Sequence, residues 1–310
     1  MRRRYKLLIA LLLLIGIPFY WLLVDNRPGN AKPAVIDIAQ ARRLAASLPG
    51  APPETVSVQQ VGWRRVPGAV FVAGGGLKRN LISIYALKLD GPWGGIVIDS
   101  GMGPAEAAQM GLERYSPKDQ AKVDAALRAA RLIVFTHEHP DHIAGLLHLP
   151  DFDAVVQKAL IPAEQAPDGR KAGELPWPPH ARRAIPPFAY TGMTAIAPGV
   201  VLIRTPGHTP GSQMIFARLA NGREYLFTGD TATMARSWEQ LRARSRLVGD
   251  FIVGEDRAAV FGWLKAIRAA KVAEPKLVVV PGHDYETLLY SQNYRSIRKG
   301  FVAHSPGGGR

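Results

Sequence analysis

The sequence predicts an α/β domain preceded by a membrane-spanning helix. Short apolar runs of strand length alternate with stretches of helical period, which is typical of α/β folds. Glycine, proline and aspartate mark the turns at the ends of several runs and divide the chain into discrete elements. Near the amino terminus, the uncharged run Leu7–Val24 indicates the membrane helix.

The amino-terminal run has the length and the flanking residues of a membrane anchor. As a helix, Leu7–Val24 would be about 27 Å long, close to a hydrocarbon core of about 30 Å. Four basic residues precede it and place the amino end in the cytoplasm. A cleaved signal peptide would need small residues after the apolar run, whereas Trp21-Leu22-Leu23-Val24 stands there. We therefore expect residues 1–25 to be an uncleaved signal anchor that crosses the inner (cytoplasmic) membrane once and holds the rest of the chain on the periplasmic side.

The remainder is expected to divide at residue 55. Residues 26–55 are rich in proline, alanine and glycine, with one helical pattern at Ile36–Leu48, and predict a linker or stalk above the membrane. Residues 56–310 predict one domain, in which the proline-rich stretch 163–190 is a loop. The predicted strands are Val70–Val72, Leu81–Leu89, Ile96–Ile98, Leu132–Phe135, Ala154–Gln157, Thr191–Ile196, Val200–Arg204, Gln213–Leu219, Arg223–Phe227 and Leu277–Val280. The predicted helices are Ala105–Arg114, Lys118–Ala130, Asp141–His148, Ser237–Arg246, Arg257–Ala270 and Glu286–Arg298.

Composition excludes some kinds of site and partner. The chain has no cysteine, which rules out disulfides and thiolate ligands. Its net charge of +14, from 39 basic and 25 acidic residues, would suit an anionic substrate or membrane face, although a solvated basic surface is the simpler explanation. Basic residues do not alternate with aromatic ones along a stripe, so we expect no nucleic-acid partner.

A dense group of metal-binding residue types follows the apolar strand predicted at Leu132–Phe135. His137 and His139 are two residues apart on an extended segment, so their side chains point the same way and can hold one metal ion. Asp141 and His142 stand at the start of a predicted helix, where the turn of the chain directs them to a second point nearby. Imidazole and carboxylate ligands suit zinc, and also iron or manganese.

Three further residues of these types follow other predicted strands. His208 lies in the turn Pro206–Gly211, Asp230 follows Phe227, and His283 follows Val280. A carboxylate can bridge two ions, so each of two sites would have three protein ligands and the bridge, with room left for water. An open position of this kind marks a catalytic site, in which the pKa of water falls to roughly 7.

This arrangement resembles the metallo-β-lactamase superfamily over about residues 56–298. The resemblance implies a four-layer αββα sandwich with two divalent metal ions at one edge. Zn²⁺ is the first expectation for both ions. It also implies that a first metal is held by His137, His139 and His208 and a second by Asp141, His142 and His283, with Asp230 as the bridge. Asp99 matches an acidic position that supports the metal loop.

The resemblance also implies a reaction. A hydroxide between the two metals would attack a carbonyl ester, lactone or thioester, while Asp141 passes a proton to the leaving group. True β-lactamases of this fold usually have cysteine or serine where Asp230 stands, so the chain is closer to the glyoxalase II and lactonase types. Lactonases place a tyrosine three residues after the bridging aspartate, and here Thr233 occupies that place.

Two alternatives stay open at this point. One is a phosphodiesterase or sulfatase-like hydrolase of the same fold, which the basic charge would suit. The other is a relative that keeps the fold for binding without catalysis. A small-molecule substrate and a membrane contact through the amino-terminal helix are the expected partners, while the substrate's identity and the oligomeric state do not follow from the sequence.

Overall fold

The computed structural model describes residues 2–31 and 34–302. Its α-helices are α1 (Arg2–Phe19), α2 (Ile38–Ala45), α3 (Pro104–Gln109), α4 (Pro117–Ala129), α5 (Pro140–Leu147), α6 (Phe152–Val156), α7 (Ala181–Ala184), α8 (Ala235–Glu239), α9 (Arg257–Ala273) and α10 (Tyr285–Tyr290). Its strands are β1 (Thr55–Pro67), β2 (Arg79–Gly91), β3 (Gly94–Ile98), β4 (Arg114–Tyr115), β5 (Leu132–Val134), β6 (Ala159–Leu160), β7 (Met193–Ala197), β8 (Val200–Arg204), β9 (Gln213–Arg218), β10 (Glu224–Phe227), β11 (Val278–Val280) and β12 (Ile297–Lys299). Two wide helical turns, Tyr20–Val24 and Leu247–Val253, complete the pattern.

The strands form two sheets. The first has the order β12-β1-β2-β3-β5-β6, with β4 paired to β1, and the second has the order β11-β10-β9-β8-β7. Apolar side chains of both sheets meet in one buried cluster between them, which includes Val56, Leu87 and Ile98 from the first sheet and Leu202, Ile215 and Phe227 from the second. Helices α3, α4 and α5 pack in the cluster on the other face of the first sheet, and α2 and α9 in the cluster on the other face of the second. The predicted four-layer αββα sandwich is therefore confirmed.

Strand direction brings the predicted site residues to one edge. In the first sheet β3 and β5 run parallel, so the residues after Ile98 and Val134 leave at the same end. In the second sheet β10 is parallel to β11, and β8 has the same direction because both β8 and β10 are antiparallel to β9. The loops after β8, β10 and β11 therefore meet the loops after β3 and β5.

Two predicted strands are wrong. Ala154–Gln157 lies mostly in helix α6, because Phe152, Val155 and Val156 recur at helical spacing and all become buried. The run at Val70–Val72 belongs to a 3-10 turn and the bend after it, and no strand forms there. Both are short apolar runs, for which periodicity alone does not separate strand from helix.

Three predicted helices end early. The one predicted at Ala105–Arg114 stops at Gln109, and Arg114 begins strand β4. The one predicted at Glu286–Arg298 stops at Tyr290, and Ile297 pairs instead with Val56 as a parallel edge strand. The one predicted at Ser237–Arg246 stops at Glu239. In all three cases contacts with distant parts of the chain override the local helical pattern: Arg114 pairs with Trp63, Ile297 with Val56, and Ala243 bonds to Asn26.

Part of the segment predicted as a linker is packed against the second sheet. Asp37 caps the amino end of helix α2, and its side chain accepts a hydrogen bond from the Gln40 amide. Arg42 forms paired hydrogen bonds with Glu224 and Glu274, with the shortest distance 2.7 Å to each. The helix is therefore fixed to the domain, whereas the division of the chain at residues 25 and 55 stays a prediction. Residues 303–310 of the predicted domain lie outside the described residues.

The amino-terminal helix is long and apolar enough to cross a membrane. The candidate span, Arg3–Val24, has 22 residues, and none of its most apolar window is buried in the protein. A helix of this length would extend about 33 Å, which exceeds a hydrocarbon core of about 30 Å. It is thus exposed to its surroundings rather than part of the core.

Gly145 provides a test of how α5 is positioned. A Cβ at this position would lie 1.9 Å from the Ser100 carbonyl oxygen, and Ser100 also accepts from the Leu146 amide and donates to the His142 carbonyl. We expect Gly145→Ala to lower the free energy of unfolding by about 1–3 kcal/mol through overpacking. The measurement is thermal unfolding of the full chain in detergent, followed by circular dichroism.

The matched control is Gly173→Ala, at an exposed position where a Cβ would meet no atom closer than 3.1 Å. Equal stability of the two variants would show that α5 does not depend on this close approach.

Candidate metal centre

All seven predicted ligands meet at the edge where the two sheets face each other. The first group consists of His137, His139 and His208. The Nδ1 atom of His139 lies 3.0 Å from Nε2 of His137 and 3.0 Å from Nε2 of His208. Three ring nitrogens thus converge on one point, as three ligands of one metal ion would.

The second group consists of Asp141, His142 and His283. The Nε2 atoms of the two histidines are 3.3 Å apart. One oxygen of Asp141 lies 3.6 Å from His142 Nε2 and 3.3 Å from His283 Nε2. Pro140 begins α5, and this places Asp141 and His142 in its first turn, as the sequence predicts.

Asp230 lies between the two groups. Its Oδ1 is 2.9 Å from His283 Nε2 and 3.9 Å from His142 Nε2, whereas its Oδ2 is 3.5 Å from His208 Nε2. Each oxygen therefore faces a different group. Gly282 makes this possible, since a Cβ there would come within 2.4 Å of Asp230 Oδ1.

Four of the histidines use their outer ring nitrogen to contact the protein. The contacts of the Nδ1 atoms are His137 to Thr136 Oγ1 (3.1 Å), His142 to Asp99 (2.8 Å), His208 to Glu255 (2.9 Å) and His283 to the Ser83 carbonyl (2.9 Å). A carboxylate or carbonyl at Nδ1 fixes the proton on that nitrogen and leaves Nε2 free to bind a metal.

Asp99 follows β3 and supports the metal loop. One of its oxygens accepts a 2.7 Å hydrogen bond from the Thr136 amide, and the other contacts His142. Its backbone has φ of 62°, a left-handed conformation that aspartate tolerates better than most residues. Asp99 therefore orients His142 without belonging to either converging group.

Burial favours neutral imidazoles in the first group. It lowers the pKa of His137 and His139 well below the ordinary value, and neighbouring imidazoles add to this effect. Burial also lowers the pKa of His208, and the Arg244 guanidinium lowers it further. A metal ion binds the neutral form of imidazole, so this group is ready to bind without losing protons.

The second group carries an excess of negative charge. Burial acts to lower the pKa of His142, but the carboxylates of Asp141 and Asp99 outweigh it and raise the value to about 10. Burial also acts to lower the pKa of His283, but the Asp230 carboxylate outweighs this effect, so the pKa of His283 is raised as well. These carboxylates stabilise positive charge at this end of the centre, whether it is carried by protons or by a metal ion.

Two buried residues at the centre escaped the sequence analysis. Arg244 donates to Asp230 Oδ2 (2.6 Å) and to Glu255 (2.7 Å), and its guanidinium also donates to the Thr233 hydroxyl. Glu255 in turn faces His208. Arg244 stands in a basic run that looks like a solvated surface helix, so no local signal marks it.

Glu138 shows why only alternate residues of the motif face the converging group. It lies between His137 and His139 but points the opposite way, as the extended backbone requires. Its carboxylate accepts from Thr209 Oγ1 (2.8 Å) and from the Gly211 amide (3.2 Å). Glu138 therefore ties the loop after β5 to the turn that carries His208.

The other histidines in the described part of the chain lie away from the centre. His148 contacts Glu106 at 2.9 Å, and His180 contacts Asp153 at 2.7 Å. The stretch 163–190 reaches the centre's surroundings through Gln165, which donates to the Gly211 carbonyl. A cavity of about 480 Å³ beside α4 is not lined by any of the seven residues.

The donor set fits two metal ions. Asp230 Oδ1 is buried and finds no donor with hydrogen-bond geometry among the described residues, although His283 Nε2 is close. Likewise, the ring nitrogens of His137 and His208 both face a single nitrogen of His139. A cation in each group would satisfy these atoms together.

Solved structures with the same fold include hydrolases. An N-acyl homoserine lactone hydrolase with N-hexanoyl-L-homoserine bound at its catalytic metal centre is 18% identical, with 76% of this chain and 95% of that chain covered and a TM-score of 0.59. A probable metal-dependent hydrolase from Staphylococcus aureus is 13% identical, with 75% and 90% covered and a TM-score of 0.52. At such identities the likeness shows the fold alone.

Sequence comparison assigns the family. No curated protein matches the chain. The model of the metallo-beta-lactamase superfamily matches residues 80–283, which contain all seven converging residues and more than half of the chain. Together with the sandwich and its metal-binding edge, this match shows that the chain is a metal-dependent hydrolase of the metallo-β-lactamase superfamily.

Proposed function

We propose that this hydrolase uses two divalent metal ions to cleave a carbonyl ester, lactone or thioester. His137, His139 and His208 would hold one ion, and Asp141, His142 and His283 the other. The observation that supports this most directly is the position of Asp230, whose two oxygens face the two groups separately. Zn²⁺ is the first candidate for both positions, and iron or manganese would fit the same donors.

The chemistry follows from the charges around the centre. When bound, the two ions would polarise the carbonyl and supply a hydroxide nucleophile at neutral pH. Asp141 directs one oxygen at the second group, and its carboxylate is the group we assign to carry a proton to the leaving atom. The fixed imidazoles hold the site's geometry during the reaction because protein partners occupy their outer nitrogens.

Arg244 and Glu255 are proposed to set the affinity of the first group. Glu255 would make the His208 imidazole a stronger ligand by accepting a hydrogen bond from its Nδ1–H. Burial would raise the pKa of Glu255, but the Arg244 guanidinium holds it below the ordinary value. Arg244 also shares Asp230 Oδ2, so the first ion would receive less negative charge than the second.

The substrate class rests on donor chemistry and on the fold's known uses. A solved relative of the same fold is a lactone hydrolase with its product at the metal centre, which supports the inclusion of lactones. Thr233 stands where lactonases have a tyrosine, and here its hydroxyl is held by Arg244. This difference argues for a carbonyl substrate other than the one those lactonases cleave.

We also propose that α1 is an uncleaved anchor in the inner membrane, with the hydrolase domain on the periplasmic side. The candidate span is 22 residues long, and four basic residues lie at its amino end. These charges favour a cytoplasmic amino end. The centre would then act on substrates outside the cytoplasm.

Removal of one ligand tests the dinuclear hydrolase. Purified protein is expected to contain two equivalents of metal and to hydrolyse members of a panel of ester, lactone and thioester substrates. His137→Ala should lose at least one equivalent, and its kcat/KM should fall by more than about 100-fold. His148→Ala, which changes a histidine outside the centre, should retain both. Hydrolysis of phosphodiesters alone would refute the substrate class, and protein without metal would favour a binding relative.

A change at Glu255 tests the support of the first group without reference to turnover. Glu255→Gln is expected to weaken binding of one of the two Zn²⁺ equivalents by about 10–100-fold, since the outer hydrogen bond of His208 loses its charge. The measurement is competition with a chromophoric chelator. Glu106→Gln, a buried carboxylate beside His148, is the control and should leave both affinities unchanged. Equal affinities in all three proteins would refute this role.

The orientation in the membrane can be read with single cysteines, because the natural chain has none. Val272→Cys, at an exposed position on α9, is expected to react with a membrane-impermeant maleimide in spheroplasts. Tyr5→Cys should react only after lysis, since the basic amino end stays in the cytoplasm. The reverse pattern would place the hydrolase domain in the cytoplasm. If neither cysteine reacts before lysis, the domain also lies in the cytoplasm.

A further inference from the structure

The segment Leu247–Val253 exposes large apolar side chains at its tip. Phe251 is 63% exposed and Ile252 is 69% exposed, and they are adjacent in the chain. Exposure of adjacent large apolar side chains to water is energetically unfavourable and is uncommon on soluble proteins. Such a pair therefore indicates contact with another apolar phase.

The tip is continuous with the end of the membrane helix. The rings of Trp21 and Phe251 are 6.1 Å apart. The Arg246 guanidinium lies 4.8 Å from the centre of the Trp21 ring and 3.3 Å from the Asp25 carboxylate. Tryptophan and tyrosine at the end of a membrane helix occupy the interfacial layer of a bilayer, so Phe251 lies at the depth of that layer.

Hydrogen bonds hold the connection between the amino-terminal helix and the domain in place, with no free linker between them. The Leu23 carbonyl accepts a 2.8 Å hydrogen bond from the Gly74 amide, and the Asn26 side chain bonds to the backbone of Leu241 and Ala243. The apolar helix ends at Val24, so the domain contacts it before the chain has left the interfacial layer. The domain must therefore rest on the membrane with this face.

The same segment carries the supports of the metal centre at its base. Arg244 lies three residues before Leu247, and Glu255 lies two residues after Val253. The Glu255 amide donates to the Gly249 carbonyl at 2.8 Å, which closes the segment into a compact loop. One short loop thus joins the membrane-facing tip to the partners of Asp230 and His208.

We infer that the tip of residues 247–253 inserts into the bilayer interface and that the metal centre acts on an amphiphile whose acyl chain stays in the membrane. The scissile carbonyl of such a molecule would lie at the depth of the headgroups, and the loop links that layer to the partners of Asp230 and His208. The inference deepens the proposed function and depends on the proposed anchor. The proposed binding partner of the apolar tip is the lipid bilayer.

Insertion is tested by the depth of a probe on the tip. The full chain with Ile252→Cys carries an environment-sensitive fluorophore and is reconstituted in phosphatidylcholine and phosphatidylglycerol vesicles. Nitroxide lipids are expected to quench this probe, and aqueous iodide should not. A probe at Val272→Cys, which is 72% exposed on α9, is the matched control and should show the opposite. Equal iodide quenching at both positions would overturn the insertion, whether or not the protein hydrolyses an ester.

The substrate class is tested by chain length. Phe251→Ser with Ile252→Ser should lower kcat/KM by about tenfold for a long-chain ester presented in vesicles, and should leave a short-chain ester of the same head group unchanged in solution. Val272→Ser is the control for both. If the double substitution lowers kcat/KM equally for both esters, or for neither, the proposal of an amphiphilic substrate is overturned. If no carbonyl substrate is cleaved by the native protein, the proposed hydrolysis fails while the quenching result still decides the insertion.

Discussion

Asp230 lies between two groups of metal-binding side chains, each drawn from both sheets, and its carboxylate must face both groups at once. The first sheet supplies the residues after β5, whereas the second sheet supplies His208, Asp230 and His283. A relative shift of the sheets would separate the two oxygens from their partners. The buried apolar layer between the sheets is therefore as necessary to the centre as the ligands themselves, because interiors packed at this density resist such shifts.

The charges around Asp230 balance one another. Burial alone would raise the pKa of Asp230, but His283 and Arg244 hold it well below the ordinary value. Arg244 is in turn compensated by Glu255. Charges taken out of water are costly unless they are paired, so each one added to the centre requires another nearby. The result is a neutral group of three imidazoles beside a second group rich in carboxylates.

The sequence predicts which residues converge at the sheet edge because they are local features. His208, Asp230 and His283 each follow a strand that apolar residues identify, and strand direction then places them together. Arg244 and Glu255 could not be found in this way. Their burial depends on contacts with Asp230 and His208, and the basic run around Arg244 is what a solvated surface would also show.

For the fold too, local features were predicted from the sequence and features that depend on distant contacts were not. The αββα layers follow from the family pattern, and most strands at the core follow from their apolar runs. The 13-residue core strand β1 was not predicted, because it carries many polar residues and a bulge between Gln60 and Gly62 breaks its alternation. Strand β12 was predicted as helix because its pairing with β1 joins residues more than 200 positions apart. Helix α2 lay in a predicted linker because the partners of Arg42, Glu224 and Glu274, are 182 and 232 positions away in the chain.

In the proposed anchored protein, the direct attachment between the amino-terminal helix and the loop at residues 241–257 has a kinetic consequence. A domain fixed to its anchor on one face cannot tumble freely, and its search for substrate is reduced to lateral diffusion in a plane. Encounters then depend on how many molecules share that plane rather than on their concentration in the surrounding fluid. Such a protein would sense the composition of its own leaflet.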